Sequence, residues 1–173
     1  MLFFRRWQPV KAVSFDLDDT LYDNGPHIAR ADAWMLAQLR SEYLAGAMMD
    51  ADRWLACKRQ VLQQDPERCH DVSLTRKLSL QLALRQGGME AGAAEGVAAE
   101  LFEGFMAERS AIAVPAASHE LLAALARRYP LVAITNGNLD LVRAGLDGYF
   151  QGVYKAGEGQ RMKPAPDLFV QAA

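Results

Sequence analysis

The sequence predicts an α/β fold: a parallel sheet core, interrupted just after its first strand by an inserted bundle of α-helices. Three observations predict it. The apolar run Val13-Ser14-Phe15 ends on Asp16-Leu17-Asp18-Asp19-Thr20, which reads as a strand followed by an acidic turn. A second apolar run, Leu131 to Thr135, closes on Asn136-Gly137-Asn138. The long stretch between them has helical periodicity and no strand signal.

The elements follow in order. Lys11 to Leu21 holds the first strand and the acidic turn, and its near-continuous apolar character predicts burial on both faces, as in a parallel sheet. Ile28, Ala31, Met35 and Leu39 recur at helical spacing after Pro26, which suits a first helical turn. Asp50 caps a helix running to about Gln64, before Pro66. Asp71 caps another, carrying Leu74, Leu78 and Leu82 and ended by Gly87-Gly88. Met89 to Arg109 is a fourth, with Val97, Leu101 and Phe105 on one stripe. Four such helices make a small bundle. Ser118 opens a helix ended by Tyr129-Pro130, and the Leu131–Thr135 strand follows. A short helix to about Gly148, a third strand at Val153 to Lys155 and a last helix from near Pro166 complete the pattern. The expected organisation is therefore a first core part at 1–21, a helical unit at 22–114 and a second core part at 115–173.

Composition excludes several classes. Of 173 residues, 51% are hydrophobic and 23% charged, which suits a folded protein. A net charge of −2 with no single-signed block implies neither nucleic acid nor an anionic membrane as partner. Cys57 and Cys69 form no metal spacing and no disulfide framework, so a reducing cytoplasm is the simplest home. Met1 to Val10 has no apolar stretch of signal-peptide length, and nothing approaches a membrane span.

The acidic turn carries the chemistry. Positions i and i+2 of a strand point the same way, so Asp16 and Asp18 can face one small site where the strand ends. Ligands of open α/β sheets bind outside the carboxyl ends of the strands. Two like charges this close repel unless something positive lies between them or one is protonated. A divalent cation with a phosphate ester would explain the pair, and an acidic turn after a strand is the plainer alternative.

Three blocks resemble the haloacid dehalogenase-like hydrolases: FDLDDTLYDN at Phe15 to Asn24, LVAITNGN at Leu131 to Asn138, and KPAPDLF at Lys163 to Phe169. Within that superfamily the likeness is greatest to bacterial flavin mononucleotide and aminophosphoribitylaminouracil phosphatases, through DDTLYDN, CHDV and the Val114–Asn138 stretch. The resemblance implies a Rossmann-like core with a helical cap. It implies a Mg2+-dependent phosphatase acting on a small-molecule phosphate ester.

In that reading Asp16 is the nucleophile, forming an aspartyl-phosphate, and Asp18 the general acid/base. Thr135, with Asn136 beside it, binds a phosphoryl oxygen, and Lys163 offsets the crowded negative charge. Magnesium lies between Asp16, the Asp18 carbonyl and the phosphate. Tyr22, Asn24, His27 and Arg30, near the junction of core and cap, are candidates for substrate contact.

Plainer readings stand beside these. Thr135 can be a strand-end hydroxyl satisfying a turn, and Lys163 a solvated loop lysine. Asp19 reads as a turn residue, and Thr20 as tying the turn through its hydroxyl. Cys69-His70-Asp71 invites a metal reading, but three adjacent residues do not easily face one ion.

The family usually carries a further acidic motif after the Lys163 block, supplying a third magnesium carboxylate. This sequence stops at Ala173, so the chain reads as the front part of a phosphatase, with an incomplete core and weak activity by itself. Two rivals stand beside that reading. The dehalogenase branch normally has an aromatic residue where this chain has Asp18. The other rival is a non-catalytic, regulatory binding protein.

Overall fold

A computed structural model describes residues 9–44 and 49–173. Most of the Met1 to Val10 segment read above lies outside them.

The fold is mixed α/β. A three-stranded parallel sheet is built from β1 (Val13–Phe15), β2 (Leu131–Thr135) and β3 (Gly152–Lys155), in the order β1-β2-β3. Phe15 pairs with Ala133, and Thr135 with Lys155, so β1 and β2 end at one side of the sheet. β2 is the central strand and is buried at four of its five positions. β1 is not buried on both faces as expected: Val13 and Phe15 are half-buried and Ser14 is exposed. It lies at an edge of this sheet, and the face that carries Ser14 is left uncovered.

After β1 come the four α-helices of the inserted unit: α1 (Gly25–Gln38), α2 (Ala51–Gln64), α3 (Val72–Gln86) and α4 (Ala91–Ser110). A widened π-type turn, Leu39–Tyr43, extends α1. Asp50 caps α2 by accepting from the Arg53 amide at 2.9 Å, and Asp71 caps α3 through the Leu74 amide at 2.8 Å. The fourth helix starts two residues later than the periodicity suggested. Glu90 caps it, accepting from the Gly92 and Ala93 amides at 2.7 and 3.3 Å. Gly104 is there for space, because a Cβ would overlap the Trp34 ring.

These helices bury their own apolar cluster, which includes Met35, Leu39, Leu80, Leu84, Leu101 and Phe105. A second cluster lies around the sheet and includes Leu17, Leu21, Leu122, Leu131, Leu139 and Leu146. Two separate cores match two units of secondary structure.

The second half holds α5 (Ala116–Ala126) and α6 (Asp167–Ala172). The first of these begins before Ser118, whose hydroxyl is not a cap. It donates to the Leu21 carbonyl at 2.6 Å, tying α5 to the acidic turn. No regular helix runs from Asn138 to Gly148. The chain makes one turn there, the Ala144 amide reaching the Asp140 carbonyl at 3.1 Å, and then a short 3₁₀ turn at Asp147–Tyr149. Gly145, at φ 67°, reverses the backbone after that turn, which lets Leu141, Ala144 and Leu146 all bury.

Phe105 is 1% exposed, lies against Phe102 and carries the Arg76 guanidinium 3.7 Å from its ring centre. Phe105→Ala is expected to destabilise the protein by about 3–5 kcal/mol in urea unfolding, since it empties a packed site and strips a buried cation of its aromatic face.

Candidate active site

The site forms where β1 and β2 run out. After Phe15 the chain leaves the sheet and folds back, with the Thr20 and Leu21 amides donating to the Leu17 carbonyl at 3.2 and 2.9 Å. This backbone turn holds Asp16 and Asp18 in place. Thr20 is exposed and, among the described residues, its hydroxyl makes no hydrogen bond, so the tie expected of that side chain is made by the backbone instead. Asp19 takes the left-handed conformation, φ 58°, and its carboxylate accepts from the Asn24 amide at 2.8 Å, as a turn residue does.

Asp16 and Lys163, from opposite ends of the chain, form an ion pair at 3.0 Å. The Lys163 ammonium also donates to the Ile134 carbonyl at 2.7 Å, at the end of β2. Asn136 holds the lysine's backbone from both sides: its Nδ2 donates to the Lys163 carbonyl at 3.0 Å, and its Oδ1 accepts from the Lys163 amide at 2.7 Å. The Asn136 side chain therefore positions Lys163. Thr135 is 1% exposed, and its Oγ1 accepts from the Gly137 amide at 3.0 Å, leaving the hydroxyl proton to donate elsewhere.

Asp18 points away from Lys163 toward the helices. Its carboxylate accepts from Arg109 Nη2 at 2.8 and 2.7 Å, one contact to each oxygen. The Tyr22 hydroxyl donates to Oδ1. Burial, reinforced by the Asp18 hydrogen bond, pushes the Tyr22 phenol above its ordinary pKa. Burial alone would lower the Arg109 pKa, but the Asp18 carboxylate outweighs it and the guanidinium is held up.

Arg109 is the site residue that periodicity did not single out. It ends the stripe Val97, Leu101, Phe105 at the next i+4 step and is only 1% exposed. A cation continuing a buried apolar stripe was the available signal, since a buried arginine needs a partner.

The remaining candidates separate. The Asn24 side chain does not cap α1, and its buried Oδ1 has no hydrogen-bond partner among the described residues. The same holds for His27 Nδ1, whose ring lies edge-on to Tyr22 at 6.0 Å between centroids. Arg30 is not free for substrate in this arrangement. Its Nη2 donates to the Glu108 and Ala111 carbonyls at 2.6 and 2.7 Å, joining α1 to the end of α4. His70 Nδ1 accepts from the Met162 amide at 3.3 Å, and Asp71 caps α3. The described residues bring no three His, Cys, Asp or Glu side chains around one point.

A cleft of about 620 Å³ opens beside this arrangement. Ser73, Phe102 and Met106 line it from the helices, and Gly137, Asn138 and Lys155 from the sheet side. It reaches Asp18 through Gly137 and does not include Asp16 or Lys163. Asn138 Nδ2 donates to the Ser73 hydroxyl at 3.1 Å across it. Lys155 donates to the Leu139 carbonyl at 2.9 Å, and burial lowers its pKa.

Gly137 is required by close approach, because a Cβ there would overlap Asp18 Oδ2. Gly137→Ala is expected to displace that carboxylate and lower kcat/KM by about 10²-fold, the scale of an ångström-sized misplacement, with little change in thermal midpoint. Steady-state kinetics beside a melting curve check this.

Comparison with known proteins agrees with this architecture. A family model described as haloacid dehalogenase-like hydrolase matches residues 10–173. The 5-amino-6-(5-phospho-D-ribitylamino)uracil phosphatase YigB of Escherichia coli (strain K12) is 37% identical over 173 residues, covering 100% of this chain and 73% of that protein. The crystal structure of 2-haloacid dehalogenase from Pseudomonas syringae pv. Tomato DC3000 superposes with a TM-score of 0.89 at 32% identity, over 95% of this chain and 71% of that one. The putative HAD-hydrolase YfnB from Bacillus subtilis, bound to magnesium, shares the fold, with a TM-score of 0.60 at 17% identity over 95% of this chain and 73% of that one.

Proposed function

We propose that this chain, which belongs to the haloacid dehalogenase-like hydrolases, hydrolyses a small-molecule phosphate monoester through an aspartyl-phosphate, with the helices 22–114 acting as a cap over the site. One observation carries the reading. An ion pair of 3.0 Å joins Asp16, just past β1, to Lys163, whose ammonium also reaches the Ile134 carbonyl next to Thr135 at 2.7 Å.

An Asp16 oxygen attacks phosphorus, and the ester oxygen leaves with the bonding pair. Asp18 enters the cycle in its protonated form and gives that alkoxide its proton, then takes one from the water that attacks the aspartyl-phosphate, so it ends the turnover protonated again. Lys163 and Thr135 hold phosphoryl oxygens and offset their charge. Lys163 takes up Asp16 Oδ1, and no other described ion pair involves that carboxylate.

Half-exposed, Asp16 is a hard oxygen donor that fits a magnesium ion, with the Asp18 backbone carbonyl as the second protein ligand. Magnesium bound there would supply charge neutralisation across the nucleophile and the phosphate. The neighbouring cleft, with apolar and hydrogen-bonding walls, is the place for the ester's leaving group. The likeness to YigB makes 5-amino-6-(5-phospho-D-ribitylamino)uracil the first substrate to try, with flavin mononucleotide second.

The likeness to a 2-haloacid dehalogenase supports a second reading, since that chemistry also suits an aspartate nucleophile. A departing halide needs no proton, however, so Asp18 would have no task. Phosphate release from 4-nitrophenyl phosphate and the two natural esters, with and without magnesium, tests the first reading, and chloride release from 2-chloropropionate the second. Phosphate without chloride is the expected pattern. Chloride alone would reverse the assignment.

A further inference from the structure

Arg109 is spent on Asp18. Its Nη2 meets both oxygens of that carboxylate at 2.7–2.8 Å, Nη1 lies 3.4 Å from the Tyr22 hydroxyl, and Nε has no hydrogen-bond partner among the described residues. The residue is 1% exposed, whereas the Asp18 side chain is 20% exposed. A guanidinium buried behind a carboxylate reaches the site only through it. A buried pair of this kind is weak evidence for stability, because desolvation offsets most of the attraction. What one nitrogen shared between both oxygens does provide is direction: it sets where the carboxylate lies and keeps both of its oxygens turned to the guanidinium.

The other walls are equally particular. Gly137 offers no side chain, so that Asp18 Oδ2 can lie against its backbone, and Arg109 Nη2 is close to the same position. Arg109 comes from the last turn of α4, whose next residue, Ser110, accepts from the Asp140 amide at 3.2 Å through its Oγ. The end of that helix is thus pinned to the sheet side where it meets Asp18.

We propose that Arg109 is a positioning residue for Asp18, aiming the carboxyl group that, once protonated, hands its proton to the leaving group. This deepens the phosphatase reading and rests on it. Both Asp18 oxygens are held in the arrangement described, so one of them has to leave Arg109 and carry the proton when it turns to the ester oxygen, while the other keeps its contact. Arg109 does not touch the substrate.

The dependence on leaving group tests this. An alkoxide needs its proton, whereas 4-nitrophenolate is stable without one. In kcat/KM, which covers events up to phosphoryl transfer, Arg109→Ala is expected to lose about 10²-fold with an alkyl phosphate such as glycerol phosphate, and less than about 3-fold with 4-nitrophenyl phosphate. Asp18→Asn is expected to show the same selective loss, larger in size. Arg109→Lys keeps the charge, folds more safely and loses the planar guanidinium whose second nitrogen lies by Tyr22, so it should show the same selectivity at smaller size. Equal losses on the two substrates in both Arg109 variants would overturn the proposal, since a merely structural role lowers every rate alike. A loss confined to KM would also overturn it, by showing direct contact with substrate. Wild-type protein that turns over neither ester would overturn the phosphatase reading and this inference with it. An active wild type with unselective variants would sink the inference alone.

Discussion

Asp16→Asn is expected to lower turnover of an aryl phosphate by roughly 10⁴–10⁶-fold, the scale seen when a covalent nucleophile is removed from a set of groups acting together. The amide keeps the shape of the carboxylate and the Lys163 contact can persist as a hydrogen bond, so the fold should survive. An amide oxygen is a far poorer nucleophile toward phosphorus, and nothing nearby replaces it: Asp18 is turned toward Arg109 and Tyr22. Two measurements check this. Initial rates give the loss, and intact mass after rapid quenching with substrate should show a covalent phosphate in the active protein and none in Asp16→Asn. A variant within about tenfold of wild type would show that the nucleophile has been misassigned, because tenfold is only about 1.4 kcal/mol of barrier.

Lys163→Met should have the next largest effect, about 10³-fold in kcat/KM, near the upper end of what one charge-stabilising donor contributes. The ammonium is the cation against Asp16, and it is fixed there by the Ile134 carbonyl and by Asn136 on its backbone. Without it a phosphate dianion must approach a carboxylate with less positive charge in reach. Methionine fills much of the same volume, so packing changes little. Lys163→Arg should recover only part of the loss, since a planar fork does not reproduce a point charge seated between two oxygens. A loss in Lys163→Met of less than about tenfold would mean that charge at this position is dispensable. Kinetics of both variants beside their melting curves separate that outcome from unfolding.

The α/β class, the two long strand-to-turn transitions and three of the helix starts were legible in the residues. Each is set by near neighbours. A capping carboxylate such as Asp50 or Asp71 acts on an amide three positions on, and an apolar run before a turn acts on itself. Asp16, Asp18, Thr135 and Lys163 stood out because three short blocks carry them, and those blocks resemble a family.

What the tertiary structure alone decided is who meets whom. Arg30 reads as a candidate for substrate contact near the junction of core and cap, and its guanidinium is committed to two carbonyls at the end of α4. Asn136 reads as a substrate contact through its backbone amide, and the structure adds that its side chain clamps the Lys163 backbone. The segment after Asn138 reads as a helix, yet Gly145 turns it after one turn so that its leucines reach the sheet. Arg109 looked like the tail of an apolar stripe, yet it is the partner of Asp18. The Arg30, Asn136 and Arg109 contacts each join residues at least 27 positions apart in the chain. Such a pairing leaves no period and no local spacing, because long-range packing rather than neighbouring residues selects it.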